Sequence, residues 1–262
     1  MDRRQVLDRA ARDAEERLLL SRIWDKWEQC RTRNHPTATG FLSPQEQAAA
    51  QGLLGILGVR DGYAFTGGYE GAERKRLVFL PEWQEAPDGG EIAALRAMCR
   101  SGCDLTHRDF LGSLMSLGLT REKIGDILVI PGGCQVLIDP AAEGFLTQSW
   151  ESAGREKLTV TAVPTEELVV PQRLAAKEIR DTVSSLRLDN VLAAAFSLSR
   201  GRAAEAVEKG AVQVNYVTCV KPDKAVAAGD VITCRGMGKS ILDEVGGVTK
   251  KGRYFVNIRR FV

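Results

Sequence analysis

The sequence predicts an α+β protein in three parts: an N-terminal helical region, a central ferredoxin-like βαββαβ domain, and a C-terminal module of two short helices followed by strands. Three observations carry this prediction. Apolar residues recur at three- and four-residue steps over residues 2–33. Residues 91–168 alternate strand, helix, strand, strand, helix, strand, the order of the split βαβ unit. Residues 183–262 differ from the rest in charge, with 13 Lys/Arg against 7 Asp/Glu (net +6), whereas residues 1–182 carry 23 against 27 (net −4). A basic module on a mildly acidic body is the charge pattern of a polyanion binder; a solvated basic face is the alternative.

The 262 residues are 44 % hydrophobic and 27 % charged. That composition supplies a core and excludes whole-chain disorder, which needs low hydrophobicity and high net charge. At ~150 residues per domain the length suggests two domains, with one or three also open; the pattern favours boundaries at 1–82, 88–168 and 183–262. No apolar run approaches the ~18 residues of a membrane span. Met1-Asp2-Arg3-Arg4 opens the chain without the apolar stretch of a secretory signal. The expectation is a soluble cytoplasmic protein whose six cysteines (30, 99, 103, 134, 219, 234) are free thiols, most of them buried. No CxxC occurs and there are two histidines, His35 and His107, so neither a zinc set nor any other metal or cofactor is expected.

In order along the chain, residues 2–33 read as one long amphipathic helix ended by Asn34-His35-Pro36. Trp24 and Trp27 lie on its apolar stripe and are expected in the core. Ser43-Pro44-Gln45-Glu46 is a capping box with Pro in the first turn; it opens a helix to about Leu57, stopped by Gly58. Thr66-Gly67-Gly68-Tyr69-Glu70-Gly71-Ala72-Glu73-Arg74-Lys75-Arg76 is a glycine-rich turn running into three cations. Such a turn can hold phosphate on its amides, but a tight turn before a strand at Leu77–Leu80 is the better reading, and GxxxxGK[ST] is absent. Pro87 and Asp88-Gly89-Gly90 mark the boundary.

In the central domain, Ile92–Cys99 is a weak first strand, with helix as an alternative because of its alanines. Thr106 and Asp109 cap a helix closed by Gly118. Ile124–Ile130 and Cys134–Ile138 form a hairpin through Pro131-Gly132-Gly133. Asp139-Pro140 opens a helix to about Ala153, ended by Gly154, and Leu158–Val163 is the last strand. The sheet aromatics of an RRM are missing. Residues 165–183, with Pro171 among mixed charges, read as a connector.

In the C-terminal module, a short helix carries Leu188, Val191, Leu192 and Ala195 on one face. Ser199 caps a second helix, Arg200 to Lys209, closed by Gly210. Val212–Val220 is a strand pair, Gly229-Asp230 a turn, and Val231–Arg235 a further strand. Arg187-Leu188-Asp189, Ser199-Arg200-Gly201-Arg202-Ala203, Lys209-Gly210-Ala211-Val212-Gln213-Val214-Asn215 and Gly229-Asp230-Val231-Ile232 fall in order, and the module resembles the S4 RNA-binding domain. That family usually has Gly after the Asn; Tyr216 in its place predicts a longer or differently shaped turn. Phe41-Leu42-Ser43-Pro44, Gly67-Gly68-Tyr69, His107-Arg108-Asp109-Phe110-Leu111-Gly112-Ser113-Leu114-Met115, Ile124-Gly125-Asp126-Ile127 and Thr249-Lys250-Lys251-Gly252-Arg253 extend the likeness over nearly the whole chain. The chain is similar to the bacterial YlmH family of S4-domain RNA-binding proteins.

That resemblance implies a non-enzymatic protein, its central α/β domain assigned to RNA binding. The implied partners are structured RNA (rRNA and peptidyl-tRNA) and the large ribosomal subunit, during rescue of stalled nascent chains, with a further link to cell division. An S4-type module presents the start of its second helix to RNA, where free amides favour phosphate and arginines add bidentate contacts. The residues expected to touch RNA are Arg187, Ser199, Arg200, Arg202, Lys209, Asn215, Lys221, Lys224, Lys239, Lys250, Lys251 and Arg253. Arg187 has a second reading as a local partner of Asp189 or Asp181, and Lys209 as a complement to its helix C-terminus. Two other functions fit the sequence less well. Pseudouridine synthases that carry S4 modules need an Asp in an Arg-Leu-Asp-like string within a separate catalytic domain, and here that string falls in the S4-like module. Asp109 fits a capping box better than a catalytic role. A division-apparatus adaptor would act through protein contacts of the acidic N-terminal helices.

Overall fold

A computed structural model describes residues 2–100, 104–171 and 177–261. The chain forms two compact units, Met1–Pro171 and Gln172–Val262.

The first unit begins with α1 (Arg3–Ala10) and α2 (Ala14–Arg33), two helices where the periodicity predicts one. The break is a competing cap. The Asp13 carboxylate accepts from the Glu16 amide at 2.8 Å, and the Glu16 carboxylate accepts from the Arg12 amide at 2.7 Å and from its guanidinium. These bonds satisfy amides that a continuous helix would have paired internally. Next come β1 (Thr37–Leu42), α3 (Pro44–Leu57), β2 (Tyr63–Thr66) and β3 (Lys75–Phe79), the strands antiparallel in the order β1-β3-β2. The α3 capping box forms as expected, with Ser43 and Glu46 exchanging amide bonds and Gly58 left-handed at the far end. The apolar stripes of α2 and α3 (Leu20, Ile23, Trp24, Leu53, Leu54) pack over Leu42, Leu77 and Phe79 of the sheet. Trp24 and Trp27 meet edge to face at 6.1 Å against this core.

The central segment is β4 (Ala93–Cys99), α4 (His107–Ser116), β5 (Ile124–Ile130), β6 (Gly133–Ile138), α5 (Glu143–Ser149), β7 (Ser152–Ala153) and β8 (Glu156–Val163). The sheet order β5-β6-β4-β8-β7, antiparallel throughout, is the split βαβ arrangement extended by one short edge strand. The ambiguous first element is a strand, its alanines set against β6 and β8. The helix after Pro140 ends at Ser149, not near Ala153, because Ser152 and Ala153 pair back onto β8. At the β5–β6 turn glycine is compulsory at 133, since a Cβ would lie 2.1 Å from the Ala97 carbonyl oxygen. Phe110 and Leu114 of α4 and Leu146 with Trp150 at the end of α5 cover one sheet face. The other face is closed by the chain itself: Phe41 packs on Ala94, Leu128 and Leu137, with Leu168 alongside.

The second unit holds β9 (Lys177–Val183), α6 (Leu188–Phe196), α7 (Arg200–Glu208), β10 (Val212–Val214), β11 (Val217–Cys219), β12 (Val231–Cys234), β13 (Gly238–Val248) and β14 (Tyr254–Phe261). They form one sheet in the order β11-β10-β12-β13-β14-β9. Two findings go beyond the sequence expectation. Part of the predicted connector is strand β9, paired along its length with β14. Gly238 to Phe261 form a long β13–β14 hairpin. The core joins Leu188, Val191, Leu192 and Ala195 of α6 and Ala203 and Val207 of α7 to Val212, Ile232, Leu242, Val256 and Ile258 of the sheet.

Cys30, Cys134, Cys219 and Cys234 are buried free thiols, as expected. Burial pushes the Cys134 thiol up to about 12, which keeps it unreactive. Cys99 departs from the expectation and is disulfide-bonded; Cys103 lies outside the described residues. Among the described residues there is no metal-binding group of three or more His, Cys, Asp or Glu, and no helix long and apolar enough to cross a membrane.

Candidate nucleic-acid interface

The densest group of predicted contact residues forms where α6 and α7 begin. Asp189, in the first turn of α6, is buried with its side chain 4 % exposed. It accepts from Arg187 at 3.2 and 3.4 Å and from Arg200 at 3.1 Å. Burial pushes this carboxyl upward, but the two guanidiniums outweigh burial and leave it below the usual carboxylate range. One buried anion therefore holds two guanidiniums in place while leaving each partly in solvent.

The segment after β11 joins them. The carbonyls of Pro222 and Lys224 accept from the amides of Asp189 and Leu188 at 3.0 and 2.8 Å. Lys221 and Lys224 thereby stand at the same end of the module. These bonds also consume the first amides of α6, so its N-terminus cannot take an anion. The N-terminus of α7 differs. Ser199 caps it by accepting from the Arg202 amide at 3.3 Å, and the first-turn amides of Arg200 and Gly201 lack helical acceptors. A Cβ at Gly201 would meet nothing within 4 Å, so the approach is open.

Arg200 and Arg202 are equivalent in the sequence but not in the structure. Arg200 is tied to Asp189. Arg202 is exposed and makes no ion pair or side-chain hydrogen bond among the described residues.

The remaining predicted residues fall elsewhere in the module. Lys209 pairs with Glu205 at 2.5 Å one turn back on α7, a side-chain partner that the sequence reading did not name. Asn215 is a fastener: its amide donates to Asp230 at 2.7 Å and accepts from the Val231 amide at 2.9 Å. Asn215 and Tyr216 both have positive φ, and Val214 pairs with Val217. The turn is thus the tight two-residue form, not a longer one, with a tyrosine in the left-handed position that glycine usually takes. Lys239 sits over the rings of Tyr216 and Phe261, 5.7 and 5.8 Å from their centres. Lys250 and Lys251 are exposed at the tip of the β13–β14 hairpin, and Arg253 donates to the Thr182 hydroxyl at 2.9 Å and to its carbonyl. From Lys239 to the end of β13 is nine strand steps, roughly 30 Å, so Lys239 stands apart from the hairpin-tip cations Lys250 and Lys251.

The glycine-rich turn at 66–76 holds an anion, but an internal one. The amides of Glu73 and Arg74 donate to the Asp126 carboxylate at 2.7 and 3.0 Å, and the Tyr69 hydroxyl donates to it at 2.8 Å. The Arg74 guanidinium donates to the carbonyls of Phe41, Arg121 and Ile124. Burial, with Arg74 alongside, lowers Arg121 to about 10. The turn is a structural clasp. Asp109 likewise caps its helix, accepting from the Thr106 amide and hydroxyl at 2.8 and 2.7 Å.

The comparisons agree with this anatomy. Residues 186–232 match the S4 domain model, and residues 100–167 match the model described as "Putative RNA-binding domain in YlmH". The chain is 35 % identical over 225 residues, 85 % of its length and 86 % of the relative's, to the Ribosome-associated protein quality control protein P2 of Bacillus subtilis. The chain belongs to the YlmH family. A solved structure, the Cell division protein ylmH from Streptococcus pneumoniae, matches with TM-score 0.48 and 22 % identity over 61 % of this chain and 98 % of that one. The S4 match covers α6, α7, β10, β11 and the first two residues of β12, so the Asp189-centred arginine cluster lies within the S4 segment.

Sequence reasoning missed Asp189 as the organiser of the site. The signal was present as Arg187-Leu188-Asp189 with Arg200 eleven residues on, but a buried carboxylate cannot be told from an exposed one by spacing alone.

Proposed function

We propose that this chain is a non-enzymatic protein of the cytoplasm that binds structured rRNA and tRNA on the large ribosomal subunit and acts in rescue of stalled nascent chains. The observation that carries the reading is the start of α7. Open backbone amides there stand beside Arg202 and the two guanidiniums fixed by Asp189, in a module of net charge +6. Phosphate is favoured at such a place, and structured RNA is read chiefly through its backbone and shape. The Bacillus subtilis relative, named for ribosome-associated quality control, supports the same reading. The Arg187-Leu188-Asp189 string is unsuited to nucleophilic work, because its carboxylate is buried and occupied by two arginines.

Sucrose-gradient sedimentation of the tagged chain tests the proposal. The wild type should travel with large subunits, and Arg202→Glu should shift it towards the top at an unchanged melting temperature. If wild type and variant both stay at the top, ribosome binding is wrong. If both co-sediment equally, the α7 face is wrong.

A further inference from the structure

Strand β14 alternates between the two faces of its sheet. Val256 and Ile258 are buried in the core with α6, so Phe255 and Asn257 lie on the opposite face. There Phe255 is 52 % exposed in an open cavity of about 690 Å³, whose lining includes one cation, Arg180, two carboxylates, Asp181 and Glu244, and the small or polar Thr182, Gly246 and Asn257.

Four features of this cavity bear on what it holds. A Cβ at Gly246 would come within 3.2 Å of the Phe255 Cβ, so the glycine keeps the space beside the ring clear. The Asn257 Oδ1 is buried and accepts no hydrogen bond among the described residues, and an unpaired buried acceptor is destabilising. Arg180 is 81 % exposed and, among the described residues, its one ion pair is a long 3.6 Å contact to Glu178, a pair of little worth in water. Arg253, fixed on Thr182, and the exposed Lys250 and Lys251 stand at the same end of the hairpin.

An apolar protein partner would cover Phe255 but leave the Arg180 guanidinium and the Asn257 acceptor unmatched. A nucleotide brings a flat π face, polar base-edge groups and a phosphate. Proteins that hold single strands combine these same parts, an aromatic platform beside cations. We propose that this cavity is a second RNA site, distinct from the α7 face, in which an unpaired nucleotide stacks on Phe255 with its phosphate towards Arg180 and its base edge towards Asn257.

The test uses the full chain and three probes at fixed salt: a short oligoadenylate, an abasic ribose-phosphate strand of equal charge, and a fully paired RNA duplex. Phe255→Leu keeps apolar bulk on an exposed site and should melt like the wild type. It should weaken oligoadenylate binding about tenfold, while the abasic strand and the duplex bind as before and Phe255→Trp retains oligoadenylate affinity. Wild-type affinity of Phe255→Leu for oligoadenylate overturns the proposal, as does an equal loss on the abasic strand. Wild-type protein that binds duplex but not oligoadenylate overturns this site alone. Binding to none of the three probes overturns the site together with the RNA-binding function.

Discussion

At the scale of single residues, Asp189 connects stability to binding. Its folded pKa lies below the unfolded value of ~4, because the stabilisation from Arg187 and Arg200 exceeds the burial penalty. A depressed carboxyl contributes stability above its unfolded pKa and loses it as pH falls through the folded one. Asp189→Asn should therefore cost roughly 2 kcal/mol at pH 7, the scale of hydrogen bonds to charged groups. The gap from wild type should close below about pH 4, as the wild-type carboxyl protonates. Denaturant titrations at both pH values measure this; a pH-independent gap would mean that the side chain acts through packing. The same geometry separates the two arginines of α7. Arg202→Ala should stay within ~0.5 kcal/mol of wild type. Arg200→Ala should be measurably less stable, because it removes one of the two cations on a buried anion.

Individual elements show where a local pattern suffices and where it does not. Ser43-Pro44-Gln45-Glu46, Thr106 with Asp109, and Ser199 were legible because a cap is a contact within one turn. The break between α1 and α2 had a comparable signal in Asp13 and Glu16, outweighed by an apolar periodicity that runs through it. The long β13–β14 hairpin was not legible. Its glycines and charges break the alternation of a half-buried strand, and its register is set by partners far along the chain, as with Tyr254 opposite Val183. The candidate RNA-contact residues were legible as cations in motifs, but their division into a tethered pair, an arginine without an ion pair and local salt bridges depends on burial. The β10–β11 turn yields a direct prediction. Tyr216 has φ 64°, a conformation costing a non-glycine residue about 1–2 kcal/mol. Its ring contact with Lys239 returns about 0.5–1 kcal/mol at an exposed site. Tyr216→Gly should thus raise stability by up to about 1 kcal/mol, read as a higher melting temperature. A lower one would show that the ring contact outweighs the strain.

On the scale of the whole molecule, charge and compactness divide the chain at nearly the same place. Residues 1–182 carry net −4 and residues 183–262 net +6, and the compact units meet between Pro171 and Gln172. The second unit owns a closed core from Val183 to Ile258 and a six-stranded sheet, so a chain of residues 172–262 should melt cooperatively by itself. It should also carry the electrostatics of binding. Each phosphate neutralised adds about −0.9 to the slope of log K against log salt on a duplex. Arg187, Arg200, Arg202, Lys221 and Lys224 together would set a slope of roughly −3 to −5 if three to five of them engage. If the phosphate contacts lie on the second unit alone, removing the first should leave that slope unchanged, whereas contacts from the segment that matches the "Putative RNA-binding domain in YlmH" (residues 100–167) would make it shallower. Arg202→Ala in the isolated unit should reduce the slope by about one. A slope that falls by half when residues 1–171 are removed would place phosphate contacts on the first unit, despite its net charge and despite the internal carboxylate that fills its glycine-rich turn.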